Sequence, residues 1–274
     1  MTEIALGRKD RALQFEAHLC AGMPQLFLGE FDPALAEFEA GLALDSPARD
    51  RTPTFITGLD VAVTTLAISG VALWHLGRPD EAVERCASAI RTARDVIAHP
   101  FSLADALSSA GWVHQLRNEP AQVAELAADL LALSTEKGFS SVALGNLQLG
   151  WALVKSDEPE RGEEGLRRML EGLAAYRTSG ARLSEIYFLS FLIDVYIHLG
   201  RRGDALQAFA EARALADLLG PRFYWRAQLL CLEAELADGE PERARWLYAE
   251  ALEVARGQGA PGLAQRAERG LESL

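Results

Sequence analysis

Four stripes of polar and aromatic residues recur at helical spacing and are the places where this chain could do chemistry. Thr57, Asp60 and Thr64 form one. Asp105, Ser108 or Ser109, and Trp112 form a second, and Asn146 and Gly150, with Gln148 and Trp151 nearby, a third. Tyr187, Ser190 and Asp194 form the fourth. Steps of three, four and seven keep each set on one side of a helix. Aligned across successive helices, Asp60, Thr64, Asp105, Ser109, Trp112, Asn146, Trp151, Tyr187, Ser190 and Asp194 would make a polar, mildly acidic groove with aromatic sides. Such a groove suits an extended peptide, a basic segment or a small polar ligand. Two bland readings compete. Asp60 lies in a strongly apolar stretch, where a buried charge needs a partner such as an arginine. Trp74, Trp112 and Trp151 have the residue type that fills gaps between packed helices.

Catalytic signatures are missing. The five histidines, His18, His75, His99, His114 and His198, form no i,i+3 or i,i+4 pair, and there is no HExxH or Cys–His cluster. His114 with Asp105 or Ser109 could form an acid–base arrangement, at spacings that helices produce by chance. No GxSxG, no GxxxxGK[ST] and no activated cysteine signature is present. Cys20, Cys86 and Cys231 lack CxxC spacing and read as small buried hydrophobes in a reducing compartment. The sequence therefore predicts a non-enzyme with no cofactor and no metal.

The elements that would carry these stripes are helical hairpins. Leu73 to Arg94 reads as a helix end, a turn at Gly77-Arg78-Pro79, and a new helix opening on Asp80. Relative to the glycine, Ala82, Cys86 and Ala89 fall at +5, +9 and +12 on one face. The same pattern gives Gly29, Ala34, Phe38, Gly41; Gly200, Ala205, Phe209, Ala212; and Gly239, Ala244, Tyr248, Ala251. Weaker copies give Arg117, Gln122, Leu126, Asp129 and Asp157, Gly162, Leu166, Met169. The six turns are spaced by 48, 40, 40, 43 and 39 residues. The predicted helix pairs are 10–29 with 32–45, 53–76 with 79–97, 101–117 with 119–136, 139–155 with 158–178, 182–199 with 202–219, and 221–238 with 241–257. A polar helix over 262–274 would cap the stack, and the segment from Asp45 to Pro53 is the most loop-like. Residues before proline avoid the α region, so His99-Pro100 marks a helix boundary.

These residue types and positions resemble the tetratricopeptide repeat, with a period longer than the usual 34 residues. The resemblance covers about Leu13 to Arg256. It implies an all-α, right-handed superhelix of about six hairpins, organised as one solenoid domain over 1–274, whose first helices line a concave binding wall. Further residues, among them Asp60, Leu73-Trp74 with Leu76-Gly77, His99-Pro100-Phe101-Ser102, Trp112, Gly150-Trp151, Tyr176 with Gly180-Ala181, and Leu199-Gly200, resemble the C-terminal repeat region of large bacterial signalling proteins. In those the repeats follow a STAND-type or AAA-type ATPase module, often with a class III nucleotide cyclase domain. That resemblance implies a regulatory or sensory module that binds a protein or peptide.

Composition bounds the rest. The 274 residues are 49% hydrophobic and 24% charged, with no sustained strand-like alternation. A net charge of −12 opposes nucleic acid and anionic membrane surfaces as partners. The N-terminus lacks a secretory apolar region, and Val61 to Trp74 is too short to span a bilayer, so a cytoplasmic location is expected. Two other readings remain beside the peptide-binding scaffold. One is a free-standing repeat protein holding a small molecule in its groove, as a sensor or recruited enzyme. The other is a homodimer formed through the terminal hairpins.

Overall fold

The computed structural model describes residues 10–46, 58–156, 158–180, 182, 184–220, 222–237 and 239–274. Among these it holds thirteen α-helices and no strand. They fall into two compact units, residues 1–141 and 142–274.

The first unit contains α1 (Arg11–Phe27), α2 (Phe31–Leu42), α3 (Val61–His75), α4 (Pro79–Arg91), α5 (Pro100–Leu116) and α6 (Pro120–Lys137). The pairs α1/α2, α3/α4 and α5/α6 pack as hairpins, and the first helices α3 and α5 also lie against each other. The turns have one mechanism. Gly29 and Gly77 take left-handed φ values of 76° and 72°, and the next residue donates its N–H to the carbonyl five positions back: Glu30 to Gln25 and Arg78 to Leu73, both at 2.9 Å. This closure satisfies carbonyls that a helix end leaves open.

The third turn corrects the register read from the sequence. Asn118, not Arg117, is left-handed at φ 57°, and Glu119 N–H donates to the His114 carbonyl at 3.0 Å. Counting from Asn118 places Val123, Ala127 and Leu130 at +5, +9 and +12, and all three are fully buried. Asparagine tolerates this conformation better than other non-glycine residues, which explains how the turn survives without a glycine. The fourth turn position, Asp157, lies outside the described residues, but its Gly162, Leu166 and Met169 are buried as the pattern requires.

At the second hairpin, α4 runs into a π-helical turn, Thr92–Ile97, and Ala98 reverses the chain at φ 52°. His99 then caps α5, its Nδ1 accepting the Ser102 N–H at 3.3 Å, with Pro100 in the first turn. The boundary expected at His99-Pro100 is there. Of the helix expected over 53–76, the part before 58 lies outside the described residues, and the described helix α3 opens at Val61 with Asp60 as its N-cap.

The second unit contains α7 (Val142–Val154), a 3-10 turn at Pro159–Arg161, α8 (Gly162–Thr178), α9 (Glu185–His198), α10 (Arg202–Leu219), α11 (Arg226–Leu236), α12 (Pro241–Gly257) and α13 (Pro261–Glu272). Pairs α7/α8, α9/α10 and α11/α12 repeat the hairpin, and α13 packs on both α12 and α11. Backbones touch closely between α7 and α8. A Cβ at Gly150 would lie 2.5 Å from the Gly165 carbonyl oxygen, and a Cβ at Gly165 would lie 2.5 Å from that of Gly150. Helix α13 buries Leu263, Ala264 and Ala267 and turns a polar face outward, the helix expected over 262–274.

Candidate functional site

In the first unit the sequence-derived stripes separate into core and surface. Asp60 is fully buried, and its role is local: Oδ1 accepts the Ala62 and Val63 N–H groups at 3.0 and 3.2 Å. Its own N–H donates to Ser102 Oγ at 2.8 Å, tying the start of α3 to the start of α5. Asp60 is thus a helix cap at the positive end of a dipole. With no exposed surface of its own, it positions the start of α3 and does not face an open groove among the described residues. Thr57 lies outside the described residues. Thr64 and Asp105 do meet, with Thr64 Oγ1 donating to Asp105 Oδ2 at 3.0 Å across α3 and α5. Burial pushes the Asp105 carboxyl up to about 6, and the Thr64 hydroxyl offsets this only in part. Ser109 and Trp112 are partly exposed on the same helix. His114 pairs with neither Asp105 nor Ser109: its Nδ1 lies 2.6 Å from Glu119 Oε2, which removes the acid–base arrangement.

In the second unit the third and fourth stripes turn inward more than their polarity suggests. Asn146 faces α8, its Oδ1 accepting from Arg168 Nη1 at 3.3 Å, and Gly150 is pressed on Gly165. Trp151 and Tyr187 are 1% and 2% exposed. Ser190 is equally buried, accepting the Trp225 indole N–H at 2.6 Å and donating to the Tyr187 carbonyl at 2.7 Å. These three residues lie beneath the surface because each first helix is covered by its second helix on one side and by neighbouring first helices on another. Burial raises the Tyr187 and Tyr224 phenols, so both stay neutral.

What reaches solvent is the outer edge of the fourth stripe, Phe191 and Asp194. The Phe191 ring centre lies 4.8 Å from that of Tyr187, 5.8 Å from Trp151 and 6.4 Å from Trp225. Beside it runs a row of charges from four elements. Lys155, just past α7, reaches Asp194 Oδ2 on α9 at 2.8 Å. Arg266 on α13 reaches Asp194 Oδ1 at 3.7 Å and grips Glu235 on α11 at 2.7 and 3.0 Å. Sequence reasoning missed Phe191, Lys155, Glu235 and Arg266. The stripe rule would have found Phe191, four residues from Tyr187, but no spacing joins Lys155, Glu235 and Arg266, which meet only through packing.

The cysteines divide. Cys86 and Cys231 are buried and their thiols pushed up to about 12 by desolvation, which leaves them inert. Cys20 is exposed, against the expectation of a buried one. Among the described residues no cluster of His, Cys, Asp and Glu could hold a metal ion, and no helix is long and apolar enough to cross a membrane.

No family model matches the chain. An uncharacterized protein of Rhizobium meliloti (strain 1021) is 26% identical over 267 residues, which is 96% of this chain and 26% of that protein. The chain thus spans about a quarter of the length of this relative. Among solved structures, a Rap protein complexed with competence and sporulation factor superposes with a TM-score of 0.66, at 12% identity, over 99% of this chain and 77% of that one. The Rap conjugation gene regulator of plasmid pLS20, in complex with the Phr* peptide, gives 0.65 at 12% identity over 96% and 75%. A thermophilic TPR protein of Thermus thermophilus gives 0.53 at 24% identity over 77% and 99%. The fold is that of the tetratricopeptide-type helical repeats.

Proposed function

We propose that the chain is a peptide- or protein-binding repeat module, and that its second unit binds through the wall around Phe191 and Asp194. The observation that carries this is the combination on that wall: a part-exposed aromatic ring backed by three buried ones, beside a row of four interlocked charges. The four charged side chains keep 17–26% of their surface exposed, enough for an incoming charged segment to reach them, while the ring offers an apolar seat whose surroundings already exclude water. The chain's acidic balance favours a segment with basic residues flanking an apolar one. Of the solved neighbours, one is in complex with the Phr* peptide and another with competence and sporulation factor.

The relative roughly four times longer than this chain supports placing the module inside a larger protein. Together with the resemblance to repeat regions of STAND-type or AAA-type signalling ATPases, it supports a regulatory role in which partner binding controls an attached domain. Cytoplasmic location and the absence of catalysis belong to the same reading. The test is selection of peptides from a random display library, followed by affinity measurement on Phe191→Ala and Asp194→Asn. Both variants should lose about tenfold or more in affinity while remaining folded, Phe191→Ala with a lowered melting temperature. Failure to enrich any sequence, or equal affinity in both variants, would defeat the proposal.

A further inference from the structure

Away from that wall, the second unit carries a cleft of about 410 Å³ between α10 and α11. Its floor is apolar: Phe209, Phe223 and Leu229 line it and are each nearly buried. A volume of this size suits one small molecule with one large apolar side chain.

Four charged side chains surround the floor, and they fall into two kinds. Arg226 is held by Glu250 at 3.0 Å, and Glu233 by Arg243 at 3.1 Å. Arg213 and Asp217 are different. Both are exposed on α10, four residues apart and therefore on one side of the helix, and among the described residues neither has an ion-pair partner, not even the other. The mouth thus presents one uncommitted cation and one uncommitted anion a helical turn apart, above an aromatic and aliphatic floor.

We propose that this cleft binds a small zwitterion with an apolar body, the chemistry of an apolar α-amino acid. The ligand's carboxylate meets the Arg213 guanidinium, whose forked donors match a carboxylate. Its ammonium meets Asp217, and its side chain covers Phe209 and Phe223. An anion alone would leave Asp217 facing a carboxylate, and a cation alone would face Arg213. A peptide end carries only one of the two charges next to its terminal side chain, so it satisfies half of the mouth. The site would make the module a reader of a small effector, independently of what binds at Phe191.

The experiment is calorimetric titration of the purified chain with L-phenylalanine and L-leucine. The comparison ligands are N-acetyl-L-phenylalanine, which keeps only the carboxylate, L-phenylalaninamide, which keeps only the ammonium, and glycine. L-Phenylalanine or L-leucine should bind with a Kd of about 1 mM or tighter, and each comparison ligand should bind at least about tenfold more weakly. In Arg213→Gln, L-phenylalanine should bind no better than its amide. In Asp217→Asn it should bind no better than the acetylated form. Both residues are exposed, so the variants should melt like the parent. The proposal is overturned by no binding of either amino acid at about 10 mM, by equal binding of the acetylated ligand, or by parent-like affinity in both variants.

Discussion

Gly150→Ala tests a helix contact in which backbone meets backbone. The added Cβ would sit 2.5 Å from the Gly165 carbonyl oxygen, 2.7 Å from Met169 Cγ and 2.9 Å from the Met169 backbone nitrogen. An ordinary contact needs roughly 3.4 Å, so α7 and α8 must part by about 0.9 Å. Two of the three obstacles are backbone, so a side-chain rotation cannot relieve them. Gly172 locks the same interface, since a Cβ there would lie 2.7 Å from the Ala143 carbonyl oxygen. Overpacking of this kind costs about 1–3 kcal/mol, and a contact against backbone belongs at the upper end. Alanine returns about 1 kcal/mol in helix propensity. The net expectation is a loss of about 2 kcal/mol. Gly203→Ala is the control, because that position lies in the first turn of α10 with nothing within 4 Å of its Cβ. It should be neutral or stabilising by up to about 1 kcal/mol. Urea denaturation followed by far-ultraviolet circular dichroism reads both. A Gly150→Ala protein at least as stable as the parent would refute the close approach of α7 and α8.

Other expectations follow from single interactions. Asp60→Ala should lower stability by about 1–2 kcal/mol and Asp60→Asn by less, since asparagine still caps the helix; thermal melts of the two variants make the comparison. Asn118→Gly should be within a few tenths of a kcal/mol of the parent, whereas Asn118→Ala should lose about 1 kcal/mol, because only the first accepts the left-handed turn freely. Folding raises the Asp105 carboxyl to about 6, from an ordinary value near 4. The folded state therefore holds this proton more tightly, and the group's penalty is absent below about pH 4 and fully present above about pH 6. Asp105→Asn should be more stable than the parent at pH 7.5, by about 1–2 kcal/mol given partial water access, with the difference vanishing near pH 4. An unchanged gap across that range would show that Asp105 is not desolvated. Ser190→Ala should cost about 1–3 kcal/mol by removing the acceptor of the buried Trp225 indole, measured as a shift in the urea midpoint.

The repeat was legible because its pattern is a packing rule. Ala34, Ala82, Ala205 and Ala244 recur five residues after a left-handed glycine since the facing helix leaves no more room there, and each is buried. The third copy slipped by one residue because asparagine can take the place of glycine in that turn, and nothing in the types around Arg117 marks the substitution. Grooves were harder. Helical spacing says which residues share a side but not which side meets water. Tyr187, Ser190 and Asp194 do share a stripe, yet Ser190 bonds inward to Trp225 at the start of α11, Tyr187 is buried against the same indole, and only Asp194 reaches the surface. Polarity misled at Asp60, which is fully buried and caps α3, while Asn146 keeps part of its surface exposed and meets Arg168. The charge row was illegible in principle, because Lys155 and Arg266 are over a hundred positions apart in sequence.

The wall around Phe191 is the centre of the functional account, and amide hydrogen exchange of the chain with and without a selected peptide tests it most directly. The account predicts slowed exchange in α9 and α11, centred on the turns that hold Phe191, Asp194 and Glu235, with α8, α10 and α12 unchanged. Protection confined to those second helices, or none in α9 with the peptide saturating, would contradict it.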